Sequence, residues 1–189
     1  MRSVCVYLGA NSGKSNRLFE AVVTLGQQIA ASGCRLVYGG SSQGLMGLLA
    51  TSVIAQGGKV TGIIPTHLIE KEIPPNNLDE LIITESMQER KLLLQQRSDA
   101  FIVMPGGLGT LEEAFDTWNA IKIGILDKPI GFLNIDGYYD GLFSFIGNCT
   151  EHGFISPQQM KIPFIDSNPQ TLLAGLLKHY ESVVVETVI

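Results

Sequence analysis

Short runs of consecutive apolar residues alternate along this chain with segments whose apolar positions recur every three or four residues. The runs are SVCVYLG from Ser3, RLVYGG from Arg35, KVTGIIP from Lys59, ELIITE from Glu80, AFIVMPGG from Ala100 and KPIGFLN from Lys128. Each has the length of a strand buried on both faces. Helical spacing of apolar positions predicts helices over Ser15 to Ser32, Gly44 to Gln56, Met87 to Arg97, Thr110 to Ile125 and Tyr138 to His152. This alternation predicts an α/β fold, Rossmann-like, with an open, mostly parallel sheet covered by helices on both faces. Asn168 and Pro169 read as the N-cap and first residue of a last helix reaching about Tyr180, and SVVVETVI beyond it fits an edge strand or a frayed tail. PTHLIEKEIPPNNLDE is the one long irregular stretch, following a strand where ligand-covering loops are usual.

Composition narrows the class. At 189 residues, with no repeat, linker or low-complexity tract, residues 1–189 are expected to form one domain. Hydrophobic residues at 45% and charged residues at 16% suit a packed core. The net charge of −5 argues against a nucleic-acid or anionic-membrane partner, both of which need clustered Lys and Arg, and favours a small-molecule ligand. Cys5, Cys34 and Cys149 are too few and too scattered for a disulfide framework, and no His/Cys/Asp cluster has metal-ligand spacing, so neither metal nor cofactor is expected. The N-terminus lacks the apolar core of a signal peptide and no apolar stretch approaches 18 residues, so a cytoplasmic location is expected.

Several motifs approach known chemistry. LGANSGKS has one residue too few between its glycines for a phosphate-binding P-loop, and GGLGTLEE carries Glu112 where a dinucleotide fingerprint needs a third glycine. Gly40-Ser41-Ser42-Gln43-Gly44 matches the G-x-S-x-G elbow and makes Ser42 a candidate nucleophile; the alternative is a glycine-rich strand-to-helix turn that lets a ligand approach the backbone. The turn at Gly106, Gly107, Gly109 and Thr110 has the composition of a phosphate cradle, supplying N–H and hydroxyl donors at a helix N-terminus. Two acids follow it. Thr110-x-x-Glu113 fits a capping box, in which Glu113 satisfies a backbone N–H, and equally places a carboxylate beside a bound ligand. Arg90 and Lys91 fall early in a helix, where the dipole disfavours cations; an anionic partner would offset that, and an ordinary solvated face is the alternative. Trp118 sits on the apolar stripe of its helix and reads as core.

Pro105-Gly106-Gly107-Leu108-Gly109-Thr110-Leu111-Glu112-Glu113 is complete at every fixed position of P-G-G-x-G-T-x-x-E, the signature of the LONELY GUY (LOG) family, long called lysine decarboxylases. The chain resembles that family from CVYLGANSG to EHGFI, weakening over its last thirty or so residues. The resemblance implies a homodimer that hydrolyses the N-glycosidic bond of nucleoside 5′-monophosphates, AMP or N6-substituted cytokinin nucleotides, to free base and ribose 5-phosphate. Arg90 and Glu113 are the implied catalytic pair, with Arg90 neutralising phosphate and helping to keep Glu113 ionised. Glu72, Met87, Lys91, Gly106, Gly107, Leu108, Gly109, Thr110, Leu111 and Glu112 are implied to surround the substrate, with Gly40 and Ser41. Relatives of the same fold that carry molybdenum cofactor supply a second reading, a binding protein without hydrolysis. The chain departs from the family in three places: Ser41 replaces the last glycine of YGGG, the segment Asn119-Ala120-Ile121-Lys122-Ile123-Gly124 replaces TWxQLG, and Leu126 replaces a histidine.

Overall fold

The computed structural model describes residues 2–187, with side chains to residue 182. Seven strands form one sheet in the order β4-β3-β2-β1-β5-β6-β7, every neighbouring pair parallel. The strands are β1 (Ser3–Tyr7), β2 (Arg35–Tyr38), β3 (Lys59–Pro65), β4 (Glu80–Thr84), β5 (Ala100–Val103), β6 (Ile130–Leu133) and β7 (Phe164–Asp166). The longer helices are α1 (Asn16–Ala31), α2 (Gly44–Ala55), α4 (Met87–Gln96), α5 (Leu108–Lys122), α6 (Asp140–Glu151) and α8 (Pro169–Thr187). Two single turns, α3 (Ile69–Glu72) and α7 (Pro157–Met160), complete the set.

Strand alternation divides the core in two. Val4 and Val6 of β1, with Ala100 and Ile102 of β5, face α1, α2 and α8, where Leu25, Ile29, Leu49, Val53 and Leu176 are fully buried. Cys5, Tyr7, Phe101 and Val103 face the other way, toward Leu94 of α4, Trp118 of α5 and Ile146 of α6. The inner strands β1, β2, β3, β5 and β6 have almost no solvent face and read as continuous apolar runs, which is why they were legible in the sequence, whereas edge strand β4 exposes Leu81 and Ile83.

Four expectations are corrected. The stretch PTHLIEKEIPPNNLDE is not wholly irregular: a 3-10 turn over Thr66–Leu68 leads into α3. The helix predicted over Thr110 to Ile125 runs from Leu108 to Lys122, because Gly107 and Gly109 are compatible with a helix start and Gly124, at φ +77°, ends it. The SVVVETVI segment continues α8 as helix through Thr187, with Val188 and Ile189 outside the described residues. Finally β7, three residues long, and α7 were missed. A Ser156 capping box with Pro157 at the first turn opens α7 and is a readable signal; β7 is too short for alternation to show. Asn168 does cap α8, its Oδ1 accepting from the N–H groups of Gln170 and Thr171. Among the described residues no helix is long and apolar enough to cross a membrane.

Candidate active site

The chain leaves β1, builds the sheet outward to β4, then returns to lay β5 on the other side of β1. That reversal opens a crevice beyond the carboxyl ends of β1 and β5. A cleft of about 450 Å³ occupies it, walled by Leu8, Gly9 and Asn11 after β1, Gly39 after β2, and Pro105 to Thr110 after β5.

On the β5 side, α5 begins without a side-chain cap: its N-cap is Gly107, and no hydroxyl or carboxylate accepts from its first turn. The capping-box reading of Glu113 therefore fails, since Thr110 already lies inside the helix. A β-carbon at Gly107 or Gly109 would meet no protein atom within 4 Å, and neither residue has positive φ. Neither packing nor backbone conformation demands glycine there, and the missing side chains leave the free N–H groups of the first turn open to the cleft. Gly106 is different, because its β-carbon would collide with the buried Thr110 Oγ1. Tyr138 Oη donates to the Gly106 carbonyl at 2.7 Å, fixing that peptide with its oxygen turned toward the phenol.

Facing this helix end, Arg90 is 6% exposed, which closes the solvated-face alternative for it. Its Nε donates to the Ile63 carbonyl and its Nη2 to the Gly39 carbonyl, both at 3.1 Å. Gly39 makes room, since a β-carbon there would strike Nη2. Two backbone oxygens thus hold the guanidinium, and Nη1 is left 3.9 Å from Glu113 Oε1. That separation is too long for a strong charge-assisted hydrogen bond. Burial outweighs the pull of Arg90 and raises the Glu113 carboxyl to about 7, with Glu112 and Glu72 adding to the rise. Arg90 does favour the ionised form, as expected, but burial acts more strongly, and near neutrality the group is poised between its two forms.

Glu72, at the end of α3, lines the same cleft; its Oε2 is buried without a hydrogen-bond partner, and burial raises its pKa against the pull of Arg90. Met87, Arg90, Gly106, Gly107, Leu108, Gly109, Thr110 and Glu113 join it there. Five other expected residues do not line the cleft. Lys91 Nζ is paired with Glu112 at 2.9 Å, one step along from the Arg90–Glu113 pair. Leu111 packs on the second core cluster. Gly40, at φ +80°, and Ser41, fully buried, lie behind the wall that Gly39 forms. Sequence reasoning missed Gly9, Asn11, Gly39, Met46 and Tyr138. Gly9 and Asn11 could have been found, because LGANSG leaves the strand that becomes the centre of the sheet; Tyr138 carried no signal before the fold placed it.

The Ser42 elbow assembles no triad. Ser42 Oγ lies 3.4 Å from the Glu72 carbonyl, and no histidine lines the cleft. His152 bonds the Asn148 carbonyl and His179 packs against Phe164. Gly44, at φ +54° and with no space for a β-carbon beside the Ala10 carbonyl, accounts for the glycine of the motif.

Fold and cleft define a Rossmann-like α/β protein that presents an uncapped helix end and an Arg–Glu pair to a cleft at the strands' carboxyl ends. Comparison with known proteins narrows this: residues 46–176 match the model of a family described as possible lysine decarboxylase. The chain is 42% identical over 182 residues, 96% of its length, to the cytokinin riboside 5′-monophosphate phosphoribohydrolase LOG5 of Arabidopsis thaliana, covering 79% of that protein. It is 44% identical over 161 residues, 85% of its length, to LOG3 of the same plant, covering 75% of that enzyme. The chain belongs to the LONELY GUY family. Among solved structures it shares its fold with the molybdenum cofactor binding protein of Rippkaea orientalis, at a TM-score of 0.70 and 24% identity over 97% of both chains. The molybdenum cofactor carrier protein of Chlamydomonas reinhardtii follows at 0.68 and 20% identity, over 94% of this chain and 96% of that one.

Proposed function

We propose that the protein hydrolyses the N-glycosidic bond of nucleoside 5′-monophosphates, AMP or its N6-substituted cytokinin counterparts, releasing the base and ribose 5-phosphate. The observation that carries this reading is Glu113: a largely covered carboxyl, its side chain 12% exposed, with a pKa of about 7, about one helical turn inside an uncapped, glycine-opened helix end and beside a buried arginine. The names of the relatives at 42–44% identity support the same reaction.

In this reading the free N–H groups from Gly107 to Thr110 hold the 5′-phosphate, and Arg90 adds positive charge. Tyr138 keeps the Gly106 carbonyl from facing the anion. Glu72 and Met87 contact ribose or base. As the C1′–N bond lengthens, its electron pair leaves with the base and positive charge develops on the ribose, as in glycoside hydrolysis. The Glu113 carboxylate stabilises that cation more than the ground state and takes a proton from the water that adds to C1′. The proton then passes to the departing base, and the carboxylate is restored. The resemblance supports a homodimer acting on this small molecule, and the three free cysteines accord with the reducing cytoplasm.

The test is chromatographic detection of free base and ribose 5-phosphate after incubation with AMP, GMP, CMP, UMP, IMP and isopentenyladenosine monophosphate, with Glu113→Gln as control. Base release that disappears in the variant establishes the reaction. No release from any nucleotide rejects it, and co-purification of a pterin would then select the carrier reading.

A further inference from the structure

The departure from the family at Ser41 has a structural counterpart on the far side of the cleft wall. Three donors converge on one oxygen, the carbonyl of Glu72: Ser42 N–H at 3.1 Å, Ser41 Oγ at 3.2 Å and Ser42 Oγ at 3.4 Å. A fourth contact from the same turn reaches the preceding residue, Gln43 Nε2 donating to the Lys71 carbonyl at 2.7 Å. Ser41 Oγ also accepts from Gln43 N–H at 3.1 Å, which ties the donors to one another. The turn between β2 and α2 thus grips the last two peptides of α3, about thirty residues further along the chain.

The gripped segment does not hold its shape by itself. With only four residues, α3 is far below the length at which a helix is stable in water. Ile73 follows Glu72 at φ +40°, a left-handed conformation that a β-branched residue avoids, and it stands before Pro74, which restricts it further. Its side chain is 61% exposed, so packing does not impose that conformation. Strain of this kind persists only where neighbouring contacts over-determine the backbone, and the hydrogen bonds from Ser41, Ser42 and Gln43 are those contacts. Their effect is to stand the Glu72 carboxyl in the cleft with an oxygen that has no partner in the protein.

We infer that the Ser41-Ser42-Gln43 turn is a positioning element for Glu72: it clamps the end of α3 and thereby sets where the Glu72 carboxyl meets the substrate. This assigns Ser41 and Gln43 a part in substrate recognition without contact to the substrate, and its kinetic half rests on the hydrolase reading proposed above.

The experiment compares the parent, Gln43→Glu, Ser41→Ala/Gln43→Ala and Glu72→Gln, with the two turn variants also made in the Glu72→Gln background. Gln43→Glu keeps the shape of an exposed side chain and removes its donor, so its fold is not at risk. Hydrogen exchange should quicken over residues 69–73 and stay unchanged in the central strands. With AMP, KM should rise roughly tenfold in the Ser41/Gln43 double variant, and less in Gln43→Glu, while kcat changes by less than about threefold. In the Glu72→Gln background the same turn changes should have no further effect on KM, because a residue acting through Glu72 loses its influence with it. An equal rise in both backgrounds, or unchanged exchange over 69–73, overturns the inference. A parent that releases no base from any nucleotide removes the hydrolase reading instead, and the exchange measurement still decides whether the clamp exists.

Discussion

Arg90 Nη1 stops 3.9 Å from Glu113 Oε1 because two other hydrogen bonds of the same guanidinium, to the Ile63 and Gly39 carbonyls, fix where it stands. A flexible arginine would close on the carboxylate and hold it ionised and inert. This one is anchored by the backbone of two strand ends, and Glu113 retains a pKa near neutrality.

The rate should report that pKa. Glu113 is faced by Arg90 and Lys91, which lower it, and by Glu112 and Glu72, which raise it, with burial the largest influence. If the carboxylate is the working form, kcat/KM for AMP should fall as pH drops through about 7, tenfold per unit at lower pH. A pH–rate profile from 5 to 9 checks this; a rate flat between 5 and 7 would remove Glu113 from the chemistry.

Stability should change in the opposite sense. The folded-state pKa of Glu113 lies above its ordinary value of 4.5, so its contribution is fully present below about pH 4.5 and is lost as pH rises through about 7. Gln at 113 cannot ionise and escapes that loss. Glu113→Gln should therefore be more stable than the parent at pH 8 by about 3 kcal/mol, with a difference under about 1 kcal/mol at pH 5. Thermal melts at the two pH values measure it.

Gly109 separates binding from folding. Because a β-carbon there meets no protein atom and φ is ordinary, Gly109→Ala should keep or slightly raise the melting temperature while weakening nucleotide binding. Gly39→Ala is the contrasting case: its β-carbon displaces the Arg90 guanidinium, and turnover should fall on the order of 100-fold. Titration calorimetry with AMP and steady-state kinetics distinguish the two.

Tyr138→Phe removes the donor that holds the Gly106 carbonyl while leaving the ring against Tyr139. KM for AMP and the inhibition constant of ribose 5-phosphate should both rise severalfold, with kcat nearly kept, as expected for a ground-state contact to phosphate. An unchanged constant for ribose 5-phosphate would place the phosphate elsewhere.

Much of this site was legible before the structure. The strand runs reveal the sheet because both faces of its inner strands are covered, and the order of strands and helices puts Gly106 to Glu113 at a strand's carboxyl end. What the sequence hid are relations between segments far apart in the chain. The Glu113 pKa depends on burial and on Arg90, Glu112, Glu72 and Lys91 together, and the sign of its shift could not be derived from the Arg–Glu pairing alone. Lys91 and Glu112 look like ligand-binding charges until the alignment of α4 against α5 pairs them with each other. Ser41 looks like a tolerated departure until α3, itself unreadable within a proline-rich stretch, lands on it.

The strand order also fixes when the cleft can come into being. β1 precedes the other six strands in the chain and lies at the centre of the sheet, yet its partner β5, paired from Val4 against Ala100, is about a hundred residues away. As the chain emerges during synthesis, β1 to β4 can assemble with one side of β1 still unpaired, and that open edge persists until β5 arrives. No half of the molecule carries the cleft on its own: the wall from Pro105 to Glu113 appears only at the step that closes the sheet, a late and long-range event in folding. Lesions that delay β5 docking should therefore cost the cell soluble protein before they cost any surviving molecule its activity.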